Sequence, residues 1–495
     1  MSLMIYNTLT RKKEPFTTIE PGKVRMYVCG VTVYDYCHLG HARSYIVWDM
    51  VRRYLQWRGY DVCYVQNFTD IDDKIIRRSQ EENLPWQDIT HKYIDAYLED
   101  MKRLNILPAV AYPKATEVIP QIIDFIKRLI DQGYAYAADG DVYYAVEKFP
   151  PYGKLSGRKL DQMEAGASGR VDEEAETKKR HPLDFALWKA AKPGEPEWES
   201  PWGMGRPGWH IECSAMVKEL LGDRIDIHTG GEDLVFPHHE NEIAQSEAAL
   251  AKPLSTFWLH NGFVKIRGDK MSKSLKNFTT IRSLLETTDP MVVRLFVLQA
   301  HYRSPIDFTD EAIAAAENGW KTISEALESF KKFSRLPDWS TYYPGNLDSV
   351  YVERFNEAMD DDFNTPVALS VIFELAKELR REQNLLTHQG KPGKSTKQIA
   401  EYCQTLAQLL NILGLKAEDP APIVAERGLG ISRGDVVIIS KTEMTDAEVD
   451  ALVQQRNEAR KAKNWAESDR IRNELQEKGI TLIDDKGGVT RWHRN

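Results

Sequence analysis

Thr32-Val-Tyr-Asp-Tyr-Cys-His38-Leu-Gly40-His41-Ala-Arg43 joins two stretches of unlike periodicity, and the fold is read from that join. Before it, Val24-Arg-Met-Tyr-Val28 is a short apolar, β-branched run of the kind that forms a buried strand. After it, Ile46, Val47, Met50, Val51, Tyr54 and Leu55 recur at helical spacing, and Gly59 is placed to stop the helix. Asp61-Val-Cys-Tyr-Val65 reads as a second buried strand, so residues 23–66 form one βαβ unit. A similar order returns at 224–260. Arg224-Ile-Asp-Ile227 reads as a strand, Pro237 as a residue of a helix's first turn, and Phe257-Trp-Leu259 as another strand. Two such halves predict an α/β doubly wound, Rossmann-type catalytic domain with its ligand crevice at the carboxyl ends of the strands.

At 495 residues the chain exceeds what one hydrophobic core usually serves. The reading divides it at 1–112 and 205–260 (the two halves of the catalytic domain), 113–204 (a connective insertion), 261–305 (a lysine-bearing connection), 306–420 (an α-helical bundle) and 441–495 (a small C-terminal subdomain). Within the insertion, Ser156 to Arg180 has no aromatic residue and reads as a mobile loop. Thr309-Asp-Glu311 opens the helical part, and Gly390–Ser395 and Ala421–Ser440 read as connectors, the latter without an assigned role. Thr445 with Glu448, and Asn464 with Glu467, have capping-box spacing, so the tail reads as capped helices closed by Gly479.

Composition excludes several classes. Hydrophobic residues at 42% and charged residues at 28% describe an ordinary globular protein. No stretch approaches the apolar length of a membrane span, and Arg11-Lys-Lys-Glu14 stands where a signal peptide needs an apolar core, so a cytoplasmic protein is expected. Five cysteines in so long a chain predict buried thiols or metal ligands rather than a disulfide framework. A net charge of −9 argues against indiscriminate nucleic-acid binding. From Ala451 onward, however, ten Lys/Arg stand against seven Asp/Glu, a local +3 that suits a phosphate-contacting module or a solvated helix face.

Two motifs carry phosphate chemistry. In His38-Leu-Gly40-His41, the glycine lets backbone approach a nucleotide while two imidazoles and a helix N-terminus face developing phosphate charge. Lys270-Met-Ser-Lys273-Ser274 places two lysines on a loop that can close over a triphosphate and hold the pyrophosphate leaving group. Together they resemble the two signatures of class I aminoacyl-tRNA synthetases. Gly203-Met-Gly205-Arg-Pro-Gly208 matches the dinucleotide-binding string but follows no apolar strand, so the oxidoreductase reading fails on context.

Cys29 ends the first strand, Cys213 lies in Gly208-Trp-His-Ile-Glu-Cys-Ser-Ala-Met216, and His238 and Glu242 are four apart on one helix face, all on segments that converge on the crevice. His239 and Glu240 are equally good ligands chemically. These segments, with Asn67-Phe-Thr-Asp-Ile-Asp-Asp-Lys74, Phe236–Ser246 and Asp360-Asp-Asp-Phe-Asn-Thr-Pro366, resemble cysteinyl-tRNA synthetases nearly end to end. That resemblance implies a zinc ion on Cys29, Cys213, His238 and Glu242. It implies cysteine contacts at Thr69, Trp209, His228 and Asp233, and ATP contacts at His38, Gly40, His41, Lys270 and Lys273. Zinc prefers a deprotonated soft sulfur to a hydroxyl, which would reject serine without an editing domain where packing alone discriminates poorly.

The implied reaction is ATP-dependent ligation of L-cysteine to tRNA(Cys) through a cysteinyl-adenylate, with Mg2+ accompanying ATP and no covalent nucleophile. In the tail, Arg460, Lys461, Lys463, Trp465, Asp469 and Asp484 mix cationic, aromatic and acidic side chains suited to unpaired bases. The resemblance implies anticodon contacts here, matched at Arg460, Trp465 and Asp469, and a monomer is expected. Two alternatives are weighed. A cysteine ligase acting on a small amino-sugar, of the mycothiol-biosynthesis type, leaves the tail unexplained. A non-catalytic tRNA-binding protein leaves the two phosphate motifs unexplained.

Overall fold

β1 (Lys23–Thr32) is buried along most of its length because strands flank it on both sides and helices cover the sheet. After α1 (Leu39–Trp57), β2 (Asp61–Thr69) pairs with it in parallel. Beyond the insertion, α2 (Trp209–Leu221) leads into β3 (Ile225–Gly231), which pairs in parallel with the other edge of β1. Then α3 (Glu240–Leu250) returns to β4 (Ser255–Asn261), parallel to β3. The order is β4-β3-β1-β2, so successive strands are added on one side of β1 and then on the other, and between β1 and β3 lies the switch point where doubly wound sheets open a crevice. The strands run further toward their carboxyl ends than the apolar runs predict. Gly30 accounts for part of this, since a Cβ there would meet the Asn67 carbonyl oxygen at 1.5 Å, and glycine lets β1 and β2 stay close beyond their apolar residues.

The structure, a computed structural model, describes residues 2–160, 177–266, 268–270 and 279–416, and in the tail 452–457, 459, 464, 468, 471, 472, 475, 480–484 and 490–494. Most of the predicted Ser156–Arg180 loop, the connector at 421–440 and the Thr445–Glu448 box lie outside the described residues. Two units are distinguished, Met1–Asp435 and Val436–Asn495. Among the described residues no helix is long and apolar enough to cross a membrane.

Between β2 and α2 lie helices Asp73–Glu82, Trp86–Arg103 and Ile119–Asp131 and a four-stranded antiparallel sheet. Its last strand, Gly205–Pro207, pairs with Phe185–Ala190 and runs straight into α2. The glycines of the false dinucleotide string thereby find their purpose. A Cβ at Gly208 would meet the Ala186 carbonyl at 2.0 Å, and one at Gly205 the Trp188 indole nitrogen at 2.3 Å.

The second half differs from the sequence reading at Pro237. Val235–His239 forms a wide π-type turn with Phe236 extended (φ −141°), and α3 starts only at Glu240, so Pro237 and His238 precede the helix rather than begin it. After β4, Val264–Ile266 pairs with Asp269–Lys270 and with Ile306–Phe308. Helices Asp310–Phe333, Ser349–Asp360, Thr365–Gln389 and Thr396–Ile412 follow, the first capped by Thr309 on Ala312 N–H and the last by Ser395 on Gln398 N–H. Asp362 accepts from Tyr6 N–H, the Tyr302 hydroxyl and Arg303 Nε, each at 2.9 Å, which ties this helical part to both ends of the catalytic region.

In the second unit, Val453, Ile471 and Leu475 form a small core with Leu452 and Trp492 packed on it. A hairpin of Ile480–Asp484 and Thr490–Arg494 closes the tail, where the sequence reading had only helices. Ile480-Thr-Leu-Ile-Asp484 is too short a run for its period-2 pattern to register beside two helical caps.

Candidate active site

At the switch point lies a cavity of about 540 Å3. His38, Gly40 and His41 line it from the entry to α1, and Asn261–Val264 line it from the end of β4. The H-x-G-H sequence proves to be a helix cap built from imidazoles. His38 Nδ1 accepts Gly40 N–H at 3.1 Å, His41 Nδ1 accepts His38 N–H at 3.2 Å, and the rings stack with centroids 3.8 Å apart. With both Nδ1 atoms accepting, the neutral rings carry their protons on Nε2 as donors, the form suited to phosphate oxygens. Thr279 O accepts Leu39 N–H (3.0 Å) and Cys37 O accepts Ile281 N–H (2.8 Å), so the segment following the lysine motif is stitched to this cap. Lys270 is described only as backbone of the Asp269–Lys270 strand, and Lys273 lies outside the described residues.

The cavity floor is a buried polar cluster. Cys29 comes from β1, Cys213 from α2, His238 from the turn before α3, and Glu242 from that helix's first turn. One ligand atom from each of the four lies within 4.8 Å of all the others, and all four residues are buried. His238 Nε2 is 3.1 Å from Glu242 Oε1 and 3.6 Å from Cys213 Sγ, and Cys29 Sγ is 3.5 Å from the same Glu242 oxygen. A second set, Cys29, His228, His239 and Glu242, meets the same distance limit. Glu240, by contrast, turns away to the backbone N–H groups of Leu155 and Ser156, the latter at 2.8 Å.

The electrostatics follow from burial and pairing. A hydrogen bond from the Cys29 thiol, helped by His238, pulls Cys213 down to about 6 against the cost of burial. Burial pushes Cys29 up, so of the two thiols Cys213 is the more acidic. Burial opposes charge on both Glu242 and His238. The charges of His228 and His238 nevertheless hold Glu242 down at about 2, and Glu242 with Cys213 lifts His238 to about 9. Two soft sulfurs, an imidazole and a carboxylate, buried together, make a candidate metal site whose donors fit a tetrahedral N/S/O ion.

Of the four residues implied for cysteine, Trp209 and Asp233 line the cavity, and the Trp209 ring lies 4.2 Å from that of His238. Thr69 and His228 sit behind the wall. The Thr69 hydroxyl donates to Glu212 Oε2 (2.8 Å), and His228 Nε2 is 2.8 Å from Glu242 Oε2, with the ring stacked 4.4 Å from Trp258. In the tail, Arg460, Trp465 and Asp469 lie outside the described residues, and only the backbone of Asp484 is described, in the hairpin.

Several supporting residues, His239 apart, had no sequence signal. His210 Nδ1 is 3.0 Å from His238 Nδ1. His239 Nε2 is 3.3 Å from Cys29 Sγ, its Nδ1 is 2.8 Å from His260 Nε2, and His260 Nδ1 is 2.8 Å from the Thr8 hydroxyl. Burial and the neighbouring His228 hold His260 neutral, down to about 3. Such second contacts orient and polarise metal-binding side chains. Arg43, two residues beyond His41, was also passed over; its buried guanidinium donates to the carbonyls of Phe263, Tyr302 and Ser304 and so shapes the wall at Phe263.

Residues 15–318 match the family of class I (C) tRNA synthetase catalytic domains, and residues 354–418 match the DALR domain. The structure is similar in fold to the Mycobacterium tuberculosis methionyl-tRNA synthetase solved in complex with methionyl-adenylate (TM-score 0.55, 16% identity, 79% of this chain and 89% of that one). Sheet order, imidazole cap and family match together define a class I aminoacyl-tRNA synthetase. Residues 442–492 match the cysteinyl-tRNA ligase anticodon binding domain. The chain is 59% identical to the cysteine–tRNA ligase of Cyanothece sp. and 58% identical to that of Gloeothece citriformis, each over the full length of both chains. The chain belongs to the cysteine–tRNA ligase family and carries that family's ligase activity.

Proposed function

We propose that the chain joins L-cysteine to tRNA(Cys) in two steps, with a zinc ion at the cavity floor held by Cys29, Cys213, His238 and Glu242. The single observation that carries this reading is the meeting of two thiols, an imidazole and a carboxylate, all buried, at the base of the cavity whose rim bears His38 and His41. Zinc bound there supplies a Lewis acid that prefers a thiolate to a hydroxyl. The set containing Cys213 is favoured over the one with His228 and His239 because it holds both thiols.

In the first step the cysteine carboxylate attacks the ATP α-phosphate in line, giving cysteinyl-adenylate and pyrophosphate. His38 and His41 donate to phosphate oxygens, and Lys270 and Lys273, with the Mg2+ that accompanies ATP, offset the leaving-group charge. Gly40 lets the helix N-terminus approach the nucleotide. Trp209 and Asp233 face the amino acid, while Thr69 and His228 act from behind the wall through Glu212 and Glu242. In the second step the terminal adenosine hydroxyl of the tRNA takes the acyl group and AMP leaves. Residues 441–495 read the anticodon, with Arg460, Trp465, Asp469 and Asp484 as the contacts. The division at 1–112, 113–204, 205–260, 261–305 and 306–420, a monomeric state and a cytoplasmic location belong to the same proposal. Cysteine-dependent pyrophosphate exchange, with serine as competitor, followed by charging of total tRNA, tests it. Exchange with cysteine alone and charging confined to tRNA(Cys) are expected; exchange supported equally by serine would overturn it.

A further inference from the structure

We infer that Lys74 is a substrate-contact residue whose ammonium group binds a phosphoryl oxygen at the mouth of the active-site cavity. The inference rests on the two-step reading above. It starts from the Asn67–Lys74 segment, of which the sequence reading gave a role to Thr69 alone.

The structure uses most of the segment's other polar groups internally. Asn67 Oδ1 accepts Gly30 N–H at 2.8 Å, holding β1 against β2. Thr69 is engaged with Glu212, and Asp70 takes the N–H (3.0 Å) and hydroxyl (2.6 Å) of Thr116. Asp72 caps the helix Asp73–Glu82 by accepting Lys74 N–H at 3.0 Å. Asp73 pairs with Lys189 at 2.9 Å and with Arg206, anchoring that helix to the inserted sheet. The salt-bridged carboxyl stays down at about 2 despite the cost of burial. These acids build a fixed platform just beyond the end of β2, and Lys74 stands on it.

Lys74 lines the cavity and is exposed, with its ammonium 5.4 Å from the Tyr34 ring centroid, Tyr34 being another cavity-lining residue. Among the described residues that line this cavity it is the one lysine or arginine, and it makes no ion pair among the described residues. The floor, where a small amino acid would be held by its thiol, is buried, with Cys29 at 7% and His238 at 2% exposure. A long, exposed cationic side chain in the cavity lining suits a polyanion rather than the amino acid at the buried floor, and Asp35 of the same lining is answered by Arg78 at 3.4 Å. Two sources offer that chemistry: the triphosphate of ATP, and the phosphodiester next to the terminal adenosine of tRNA.

The test uses full-length Lys74→Met, which keeps the stem and removes the charge, and Lys74→Arg, which restores it. Cysteine-dependent pyrophosphate exchange and single-turnover transfer from adenylate to tRNA are measured beside melting temperature. Lys74→Met is expected to melt with wild type and to lose about tenfold or more in one of the two steps, with Lys74→Arg recovering most of it. A loss in exchange through the KM for ATP identifies the triphosphate as the source. Unaltered exchange with slowed transfer identifies the tRNA phosphodiester. Both steps within about twofold of wild type, an arginine variant as impaired as the methionine one, or a change confined to the KM for cysteine would each overturn the inference. A wild-type chain without cysteine-dependent exchange would instead sink the two-step reading, so the two failures are distinguishable.

Discussion

The floor and the rim of the cavity are built by opposite means. The floor takes Cys29, Cys213 and His238 from three segments far apart in the chain and buries them with Glu242, so that every charge is answered by a neighbour. The rim is local: His38, Gly40 and His41 make one helix cap from four consecutive residues, open to the cavity. On the proposed function, the difference follows from what each must distinguish. Cysteine and serine differ by one atom, and only a dry, fixed set of soft donors separates them by much. A triphosphate needs no such exclusivity, only donors placed where charge develops.

This contrast can be broken from either side. The largest effect is expected at the floor. Cys213→Ser should lose the zinc, which elemental analysis would find at one ion per wild-type chain, and with it cysteine binding, while ATP binding remains. Retention of both zinc and cysteine would place the ion on the other set, with His228 and His239. In the lysine motif, Lys273→Ala should depress adenylate formation by orders of magnitude with little change in cysteine affinity, because its charge matters mainly as pyrophosphate departs. An unaltered exchange rate would remove Lys273 from the mechanism.

Smaller effects are expected at residues that belong to neither the floor nor the rim. Trp465→Ala should leave exchange intact and slow tRNA charging by about 1–3 kcal/mol, the worth of a base stack. That deficit should vanish on a minihelix without an anticodon, and its persistence there would count against an anticodon contact. The smallest effect concerns Asp100, whose buried carboxyl lies 3.2 Å from Arg282 Nε, close to the Ile281–Cys37 stitch. Burial, only partly offset by Arg282, lifts it to about 6 from an ordinary 3.8. The folded state therefore holds this proton more tightly than the unfolded chain. Its contribution to stability is fully present below about pH 4 and declines as pH rises through about 6. Asp100→Asn should cancel that slope, so its melting temperature relative to wild type should rise by about one or two degrees between pH 4 and 7. A constant difference across that range would show that Asp100 keeps its ordinary affinity for protons.

The same contrast explains what the sequence disclosed. The βαβ halves, Thr309 as a cap and the imidazole motif are contiguous patterns, each satisfied within a turn or two of backbone. The four floor residues came into view through a family likeness, since nothing local links Cys29 to Cys213. Nothing local links His239, named only as a possible ligand, to His260 and Thr8, because the three sit on separate segments and meet only when β4 lies beside β3. Arg43 was hidden for another reason. A buried guanidinium answered by three backbone carbonyls looks in sequence like any surface arginine on a helix. The tail hairpin was masked by capping signals that spoke only for helices.

The central claim is that the floor chooses cysteine through a metal. Its most direct test is the ratio of cysteine- to serine-dependent pyrophosphate exchange, measured on protein stripped of metal by a chelator and again after one equivalent of zinc is returned. Loss of cysteine-dependent exchange on stripping and its recovery with zinc are predicted. A stripped protein that still exchanges with cysteine and refuses serine would contradict the claim.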